Sequence, residues 1–301
     1  MLVFEDPAFD GHVTPPGHPE RVERLQAVAA GLSGLVLDRR ACPPAPREEV
    51  LRCHPAGYLD RVAAAVPATG WAQLDGDTFL APGSLEAALR AVGGACAAVD
   101  AVVTGGGAAF VAGRPPGHHA ETAKAMGFCL LGTAAIAAKR ALDHHGLTRV
   151  AIVDFDVHHG NGTQDLLWDE GRCLFASSHQ MPLYPGTGGA DERGAHGQIL
   201  NLPLRGGSDG AAMRRGYEQM ILPAVADWKP DLLIVSAGFD AHEADPLAGL
   251  EWEAEDFRWL AARLWEVSGG RVVSTLEGGY DLDALAASVA AYVGEMAARS
   301  D

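Results

Sequence analysis

Residues 150–162 read VAIVDFDVHHGNG, a β-branched apolar run that passes directly into two aspartates and two histidines. A run that is apolar on both faces is typical of a strand in a parallel sheet covered by helices on each side. Because strand side chains alternate, Asp154, Asp156 and His158 are expected to point to one side of the sheet. The segment therefore predicts a buried strand that delivers polar groups to its carboxyl end.

Similar apolar runs recur along the chain and are separated by segments with helical periodicity. Strands are predicted at Leu2–Phe4, Ala108–Ala112, Val150–Asp156, Leu174–Ser178, Ile199–Leu204, Leu232–Ala237 and Val272–Leu276. Helices are predicted at Glu20–Gly31, Ala56–Val66, Ser84–Val103, Thr133–His145, Gly210–Trp228, Ala254–Val267 and Leu282–Ala298. This alternation indicates an α/β protein with a central, mostly parallel sheet and helices on both faces. No linker divides the sequence, so residues 1–301 are expected to form one domain.

Composition places the chain among globular proteins with an acidic surface. Of 301 residues, 48% are apolar, which excludes a disordered chain. The net charge of −16 disfavours nucleic acid as a partner, because nucleic-acid binders offer cations to phosphates. The five cysteines show no CxxC spacing, which is typical of reduced thiols in a cytoplasmic protein. The N-terminus lacks a signal-peptide pattern and apolar windows such as Val92–Val103 are short for a span, so no membrane partner is expected.

The polar residues after two of the predicted strands favour a metal site. The carboxylates of Asp154 and Asp156 and the imidazole of His158 would be costly to bury unless a cation neutralised them. A divalent metal fits better than a salt-bridged turn, because no Lys or Arg lies nearby in the sequence. A second buried strand, Leu232–Ala237, runs into GFDAHEADP, residues 238–246. Asp245 in that segment is the expected third ligand, because a metal bound by Asp156 and His158 needs a third protein ligand.

The other acids of the second segment, Asp240 and Glu243, are expected to be exposed turn residues or helix caps. A site with three protein ligands and an open position is typical of a hydrolytic metal centre. Zn²⁺, one ion per chain, is the expected cofactor, and a site with two carboxylates also admits Fe²⁺. Such a metal polarises a carbonyl and lowers the pKa of a bound water to about 7.

Two neighbouring histidines lie in the loop RPPGHH, residues 114–119, after the strand Ala108–Ala112. Its prolines stiffen the loop, so that His118 and His119 are held in place and suit proton transfer beside a metal. The pair at residues 144–145 lies at a predicted helix C-terminus, where a charged imidazole complements the helix dipole. We assign no chemistry to that second pair.

An aromatic residue follows the last predicted strand, in the segment EGGY, residues 277–280. Two glycines before an aromatic residue also occur in ordinary turns. Beside a metal, however, the hydroxyl of Tyr280 would donate a hydrogen bond to an oxyanion that develops on the substrate.

Together these motifs resemble those of the histone deacetylase family, over nearly the whole chain. The matching segments are His18–Glu20 with Arg24, Arg114–Ala120, Met126–Cys129, Asp154–Asn161, Ala237–Leu247 and Glu277–Tyr280. The resemblance implies the arginase/deacetylase fold, whose mostly parallel sheet has about eight strands with helices on both faces. It also implies hydrolysis of an N-acetyl amide on lysine, polyamine or a related amine.

The resemblance implies a role for each residue of the site. The zinc ligands would be Asp156, His158 and Asp245. The catalytic residues would be His119 as general base and acid, His118 as its electrostatic partner, and Tyr280 as the donor that polarises the carbonyl.

The two histidines are expected to have different partners. The resemblance pairs Asp154 with His118 and places Asn161 behind His119. A carboxylate favours the charged imidazole and a neutral amide does not, so His119 is expected to be the neutral base. The resemblance also implies a structural K⁺ ion held by the backbone of residues 154–158 and near Ser177.

The resemblance places further residues at the substrate. These are Gly127, Phe128, Leu247, Gly278 and Asp77, with Arg24 beside an internal channel. The acetylpolyamine-selective relative has a glutamate at the position of Leu247. An apolar residue there favours an acetyl-lysine peptide or protein over a polyamine, while a small acetylated amine stays an alternative.

Two other functions are compatible with parts of the pattern. An arginase-like ureohydrolase would need two Mn²⁺ ions and additional bridging carboxylates. A catalytically inactive acyl-amine binding protein would retain the pocket without turnover. The sequence is also compatible with a homo-oligomer.

Overall fold

The computed structural model describes residues 1–300, and its central feature is a sheet of eight parallel strands in the order β2-β1-β5-β10-β9-β6-β7-β8. The strands of this sheet are β1 (Leu2–Glu5), β2 (Asp38–Ala41), β5 (Gly107–Val111), β6 (Val150–Asp154), β7 (Cys173–Gln180), β8 (Ile199–Leu204), β9 (Leu232–Ala237) and β10 (Arg271–Leu276). A short antiparallel pair is formed by β3 (Ala72–Gln73) and β4 (Phe79–Leu80).

Helices occupy the connections between these strands. They are α1 (Glu23–Leu32), α2 (Arg47–Val50), α3 (Ala56–Ala65), α4 (Ser84–Gly105), α5 (Thr133–Asp143), α6 (Asn161–Leu166), α7 (Gly210–Gly216), α8 (Leu222–Trp228), α9 (Ala254–Ser268) and α10 (Leu282–Ser300). A 3₁₀ turn covers Pro7–Gly11, and a π-helical turn, Tyr217–Ile221, joins α7 to α8.

The buried strands divide their side chains between two cores, one on each face of the sheet. Along β6, Ala151 and Val153 pack in a core with α1, α9 and α10, whereas Val150 and Ile152 pack in a core with α4 and α5. The alternation follows from the two-residue period of a strand. It confirms the predicted parallel sheet with helices on both faces.

The bounds of β1, β5, β7 and β10 differ from the sequence-based prediction by one or two residues. Two further elements of the sheet, β2 and β6, also differ from it. The edge strand β2 was not predicted, because its residues DRRA are all exposed and carry charges, as edge strands often do. The strand β6 ends at Asp154, two residues before the predicted end. Beyond it the Asp154 side chain accepts the backbone N–H of Asp156 at 3.1 Å, which turns the chain away from the sheet.

Helix α4 is longer than the apolar window that the sequence suggested. Its 22 residues are long and apolar enough to cross a membrane by length and composition alone, a test that core helices also pass. Here α4 packs against α5 and the sheet, and a side chain at Gly93 would collide with the backbone of Pro43. Packing in the interior accounts for its apolar composition.

The strand order brings four loops together at one edge of the sheet. Strands β5, β10, β9 and β6 are consecutive neighbours and run in the same direction, so their carboxyl ends are adjacent. The loops that follow them begin at residues 112, 277, 238 and 155. Ligands of open parallel sheets bind at such a position.

Candidate active site

The loop after β5 is held in place by a buried ion pair. The guanidinium of Arg114 contacts both carboxylate oxygens of Glu20, with Nη2 2.6 Å from Oε2, and neither side chain is exposed. The backbone at Gly117 lies so close to Leu131 and Thr133 that a Cβ there would be 2.7 Å from the Leu131 carbonyl oxygen. The loop is therefore fixed where the two histidines leave it.

His118 and His119 lie side by side, with ring centroids 4.0 Å apart, and have different partners. His118 Nδ1 is 3.0 Å from a carboxylate oxygen of Asp154, whereas His119 Nδ1 is 2.7 Å from the amide oxygen of Asn161. Burial disfavours the charged form of His118, but the carboxylates of Asp156 and Asp154 outweigh it and hold its pKa well above the usual value. Burial and then the charge of His118 hold the pKa of His119 well below the usual value.

A buried cluster of ligand-type atoms lies next to the histidines. His158 Nδ1 is 3.1 Å from a carboxylate oxygen of Asp156 and 3.3 Å from Oδ2 of Asp240. Burial disfavours a charged imidazole, yet the two carboxylates outweigh it and raise the pKa of His158 to about 10. Within residues 1–300, Oδ2 of Asp240 accepts no hydrogen bond although it is buried. An unpaired carboxylate oxygen beside an imidazole nitrogen fits a divalent cation.

Asp240 contradicts the sequence-based prediction that it is an exposed turn acid. Only 1% of it is exposed, and its Oδ1 accepts the backbone N–H of Val157 at 2.9 Å. The turn after β9 packs directly on the loop after β6, and this contact buries the side chain. Glu243, for which the same prediction was made, is exposed.

Asp245, the predicted third ligand, lies beside the tyrosine segment and outside the tight cluster of Asp156, His158 and Asp240. Its Oδ2 accepts the backbone N–H of Tyr280 at 2.7 Å. Burial and then the charge of Asp240 raise the pKa of Asp245 to about 7, so the two carboxylates are near each other. Its role as a ligand stays a prediction.

The tyrosine segment is fixed by a buried arginine. Arg24 donates from Nε to the carbonyl of Gly279 at 2.6 Å, and its guanidinium lies 4.9 Å from the ring centroid of Tyr280. The backbone N–H of Gly278 donates to Asp156 at 2.8 Å, and a Cβ at Gly278 would collide with the Asp240 carboxylate. Gly278, predicted to contact substrate, thus lies beneath the carboxylates and does not line the pocket.

Glu277, in the same segment, reaches across to the histidine loop. Its carboxylate accepts the backbone N–H groups of Gly117 at 2.7 Å and His118 at 3.1 Å, and 1% of the residue is exposed. Burial raises its pKa to about 7, against the opposing charge of His118. Its position in the sequence, directly after a predicted strand, indicates no role by itself.

A pocket of about 230 Å³ opens above these groups. Its lining consists of Asp77, His119, Gly127, Phe128, His158, Leu183, Tyr184, Leu247 and Tyr280. Four of the five residues predicted to contact substrate line it, all except Gly278. Phe128 has a φ of 67°, in the left-handed region, and its ring lies 5.8 Å from that of Tyr280. This uncommon backbone conformation presents the phenyl ring to the pocket.

Tyr184 is a wall of the pocket that sequence reasoning did not identify. Its ring meets that of His119 edge to face at 5.2 Å, and lies 6.3 Å from that of His158. It belongs to the loop MPLYPGTGG that follows β7. An aromatic residue between prolines directly after a buried strand was the available signal.

A second group of potential ligands, Asp100, His144 and His145, lies at the C-terminal end of α5. Arg140 donates to both carboxylate oxygens of Asp100, at 2.8 Å each. Because that guanidinium already supplies the positive charge, these residues do not favour a metal ion. The geometry agrees with assigning no chemistry to this pair of histidines.

Paired histidines, carboxylates and a tyrosine around one pocket, at the carboxyl edge of an eight-stranded parallel sheet, define the class of α/β proteins with the arginase/deacetylase fold. Comparison with known proteins gives the family. Residues 18–296 match the histone deacetylase domain family. A histone deacetylase-like amidohydrolase of Pseudomonas aeruginosa is 39% identical over 92% of this chain and 74% of its own. A chloroplastic histone deacetylase 10 of Oryza sativa is 39% identical over 100% of this chain and 75% of its own.

A solved structure agrees with these relatives. The crystal structure of the HDA15 HD domain superimposes with a TM-score of 0.94 at 32% sequence identity, over 98% of this chain and 90% of that one. The chain belongs to the histone deacetylase family, a family of hydrolases that act as deacetylases or amidohydrolases. The resemblance inferred from the motifs, and the fold that it implied, are confirmed.

Proposed function

We propose that this protein is a zinc-dependent deacetylase that hydrolyses the N-acetyl amide of acetyl-lysine or a related acetylated amine and releases acetate. The observation that carries the proposal is the pair of adjacent histidines with opposite pKa shifts beside a buried carboxylate cluster at the base of a pocket. Such a pair provides a neutral base and a charged partner in one place.

The residues proposed to hold the metal are Asp156, His158 and Asp245, with Asp240 next to them. The unpaired oxygen of Asp240 and the raised pKa of His158 support a cation at this position. A bound Zn²⁺ polarises the acetyl carbonyl and lowers the pKa of water. Fe²⁺ is the alternative metal for a donor set of this kind.

The protein's own groups then perform the proton transfers. Neutral His119 accepts a proton as water adds to the carbonyl carbon, while His118 stays charged beside it. Tyr280, whose pKa burial holds well above 10, keeps its proton and donates a hydrogen bond to the developing oxyanion. The C–N bond breaks as the proton returns to the leaving amine, so one water is consumed and acetate and a free amine are released.

The pocket walls support an acetyl-lysine substrate. Phe128, Leu183 and Leu247 give the pocket apolar sides, which suit the unbranched methylene chain of a lysine. Asp77 is the acidic group of the lining, and it would accept an N–H of the substrate near the entrance. An acetylated polyamine or another small acetylamide is the second candidate, because Asp77 would also attract a cationic chain.

The experiment measures acetate release by zinc-loaded protein from an acetyl-lysine peptide and from an acetylated polyamine. Faster turnover of the peptide supports the proposal, and faster turnover of the polyamine favours the second candidate. Zinc-loaded protein without turnover of either substrate would favour another small acetylamide, and absence of turnover of any acetylamide would overturn the deacetylase proposal and favour a binding protein. A metal content of two Mn²⁺ ions per chain would instead indicate a ureohydrolase.

A further inference from the structure

His119 and two side chains behind it form a hydrogen-bonded series that leads away from the pocket. His119 Nδ1 is 2.7 Å from Oδ1 of Asn161, and Nδ2 of Asn161 donates to a carboxylate oxygen of Glu121 at 2.8 Å. His119 and Asn161 are buried, whereas Glu121 is half-buried. The series therefore ends on a carboxylate near the surface.

Glu121 determines which way the amide of Asn161 points. An ionised carboxylate can only accept hydrogen bonds, so the NH₂ group of Asn161 must face it. Rotation of the amide by 180° would place an oxygen against the carboxylate and leave both without a donor. The sulfur of Met126, 3.4 Å from Nδ2, is a weak acceptor that favours the same orientation.

The orientation of the amide fixes in turn the position of the proton on His119. Because Oδ1 of Asn161 accepts, Nδ1 of His119 must carry the proton, and Nε2 is left with a free lone pair. That tautomer is the one a general base requires. With the rotated amide, Nδ1 would have to accept, and Nε2 would be protonated and unable to act as a base.

Backbone and side-chain hydrogen bonds fix the positions of Glu121 and Asn161 relative to each other. Glu121 and Lys124 form a tight turn in which the N–H of Glu121 donates to the carbonyl of Lys124 at 3.0 Å. The hydroxyl and the N–H of Thr122 both donate to Asp165 on α6, at 2.7 and 2.8 Å. Asn161 is the first residue of α6, so the turn and the helix are fixed to each other.

We propose that Glu121 is a positioning residue, which acts through Asn161 to hold His119 as the Nδ1-protonated tautomer. The proposal rests on the proposed function, in which His119 is the base. His118 receives a carboxylate directly from Asp154, whereas the carboxylate that serves His119 lies one side chain further out. His119 thereby gains a fixed tautomer from a neutral amide, without a carboxylate in direct contact with Nδ1 that would favour its protonation.

The test compares Glu121→Ala, which removes the acceptor, with Glu121→Gln, which keeps a carbonyl oxygen in reach. Thr122→Val is the control for loop anchoring, and Glu218→Gln, at an exposed position on the π-helical turn, is the control for the charge change. We expect Glu121→Ala to lower kcat on an acetyl-lysine peptide about 10-fold, with KM within about twofold. Glu121→Gln should retain most of the activity, and both controls should match the wild type.

A second measurement does not depend on turnover. Side-chain ¹⁵N NMR of histidine-labelled, zinc-loaded protein reports the tautomer of each ring, and the His119 signals are assigned from their loss in His119→Ala. The wild type should show protonated Nδ1, and Glu121→Ala should show a mixture of tautomers. Thr122→Val should keep the wild-type tautomer.

The two measurements separate failure of this inference from failure of the proposed function. An unchanged His119 tautomer in Glu121→Ala overturns the positioning role, whatever the activity of the wild type. Wild-type protein without turnover of any acetylamide overturns the deacetylase proposal, while a tautomer change in Glu121→Ala would still support control of His119 by Glu121. An equal loss of activity in Thr122→Val and Glu121→Ala would identify loop anchoring as the cause and overturn the inference.

Discussion

The side-chain carboxylate of Glu277 accepts the backbone N–H of His118 at 3.1 Å, although the two residues follow different strands. The same carboxylate accepts the N–H of Gly117 at 2.7 Å. Glu277 is also close in sequence to Tyr280, so one buried acid joins the loop of the paired histidines to the tyrosine segment. The position of the paired histidines relative to Tyr280, the proposed oxyanion donor, depends on this contact.

Glu277→Ala should therefore destabilise the protein and lower its activity. Two buried N–H groups would lose their acceptor, and leaving a buried donor unsatisfied costs about 1–3 kcal/mol. Urea unfolding would measure the loss of unfolding free energy, and steady-state kinetics the loss of kcat. Glu277→Gln keeps one acceptor oxygen and is expected to lie between the alanine variant and the wild type. An alanine variant as stable as the wild type would contradict the role of this contact.

Tyr280→Phe should reduce kcat by about 10²–10³-fold, as loss of an oxyanion donor does in other hydrolases. The ring and its contact with Arg24 are retained, so the fold and zinc content should not change. Kinetics with an acetyl-lysine peptide and metal analysis of the same sample provide the measurement. Tyr217→Phe, which removes a hydroxyl bonded to Ser178, is the control and should lose stability without losing kcat. Full activity in Tyr280→Phe would exclude the hydroxyl from the reaction.

The assignment of the third metal ligand can be decided by comparing Asp245→Ala with Asp240→Asn. If Asp245 binds the metal, its loss should weaken zinc binding more than 100-fold, whereas a neutral side chain at Asp240 should cost about 10–100-fold. Competition with a chromophoric chelator measures both affinities. The reverse order would make Asp240 the ligand, as its unpaired oxygen and its distance of 3.3 Å from His158 Nδ1 also allow.

Leu247→Glu should shift substrate preference towards acetylated polyamines. The substitution places a carboxylate in the wall of the pocket, where it would attract a cationic chain. We expect the ratio of polyamine to peptide kcat/KM to rise about 10-fold. Leu247→Gln, which is similar in size but neutral, is the matched control. The same ratio in both variants would show that charge at this position does not select the substrate.

The stability of the protein should decrease in acid because of His179. Burial disfavours the charged imidazole and lowers the pKa of this residue to about 4. The neutral ring donates from Nε2 to the carbonyl of Gly188 and accepts at Nδ1 from the hydroxyl of Ser177. In the unfolded chain its pKa is about 6.5. Between pH 6.5 and 4 the unfolded chain therefore binds more protons, and the stabilisation present above pH 6.5 is lost as the pH falls.

The contribution of His179 amounts to at most about 3 kcal/mol. His179→Gln removes this titration, so the difference in unfolding free energy between the variant and the wild type should depend on pH mainly in this window. Urea unfolding at several pH values measures it. A constant difference from pH 7 to pH 4 would show that folding does not lower the pKa of His179.

Much of the fold follows from local sequence patterns. The bounds of β8 and β9 agree with the prediction, because their apolar runs are bordered by polar residues or glycine. The edge strand β2 was missed because it pairs only with β1 and its side chains are exposed on both faces of the sheet. Its residues therefore show no hydrophobic pattern.

His119, His158 and Tyr280 could be inferred from polar residues that follow buried strands, whereas Asp77, Gly127, Phe128 and Leu247 were implied by the resemblance to the family. The missed residues, Tyr184, Asp240, Glu121 and Glu277, have their roles through contacts with other loops. Asp240 is the clearest case: its own segment looks like a turn, and its burial depends on the loop after β6. Such contacts between distant segments carry no periodic signal in one sequence.

Asp154 ends β6 and Asn161 begins α6, so one short connection carries the partners of both histidines. Neither partner lines the pocket, whose walls come from other loops except for His158, which lies in this same connection. The partners that shift the pKa values of the two histidines and most of the residues that line the pocket are thus encoded in separate parts of the gene. We therefore expect substitutions in the other loops of the pocket to change ligand preference while the pKa values of His118 and His119 stay largely unaltered.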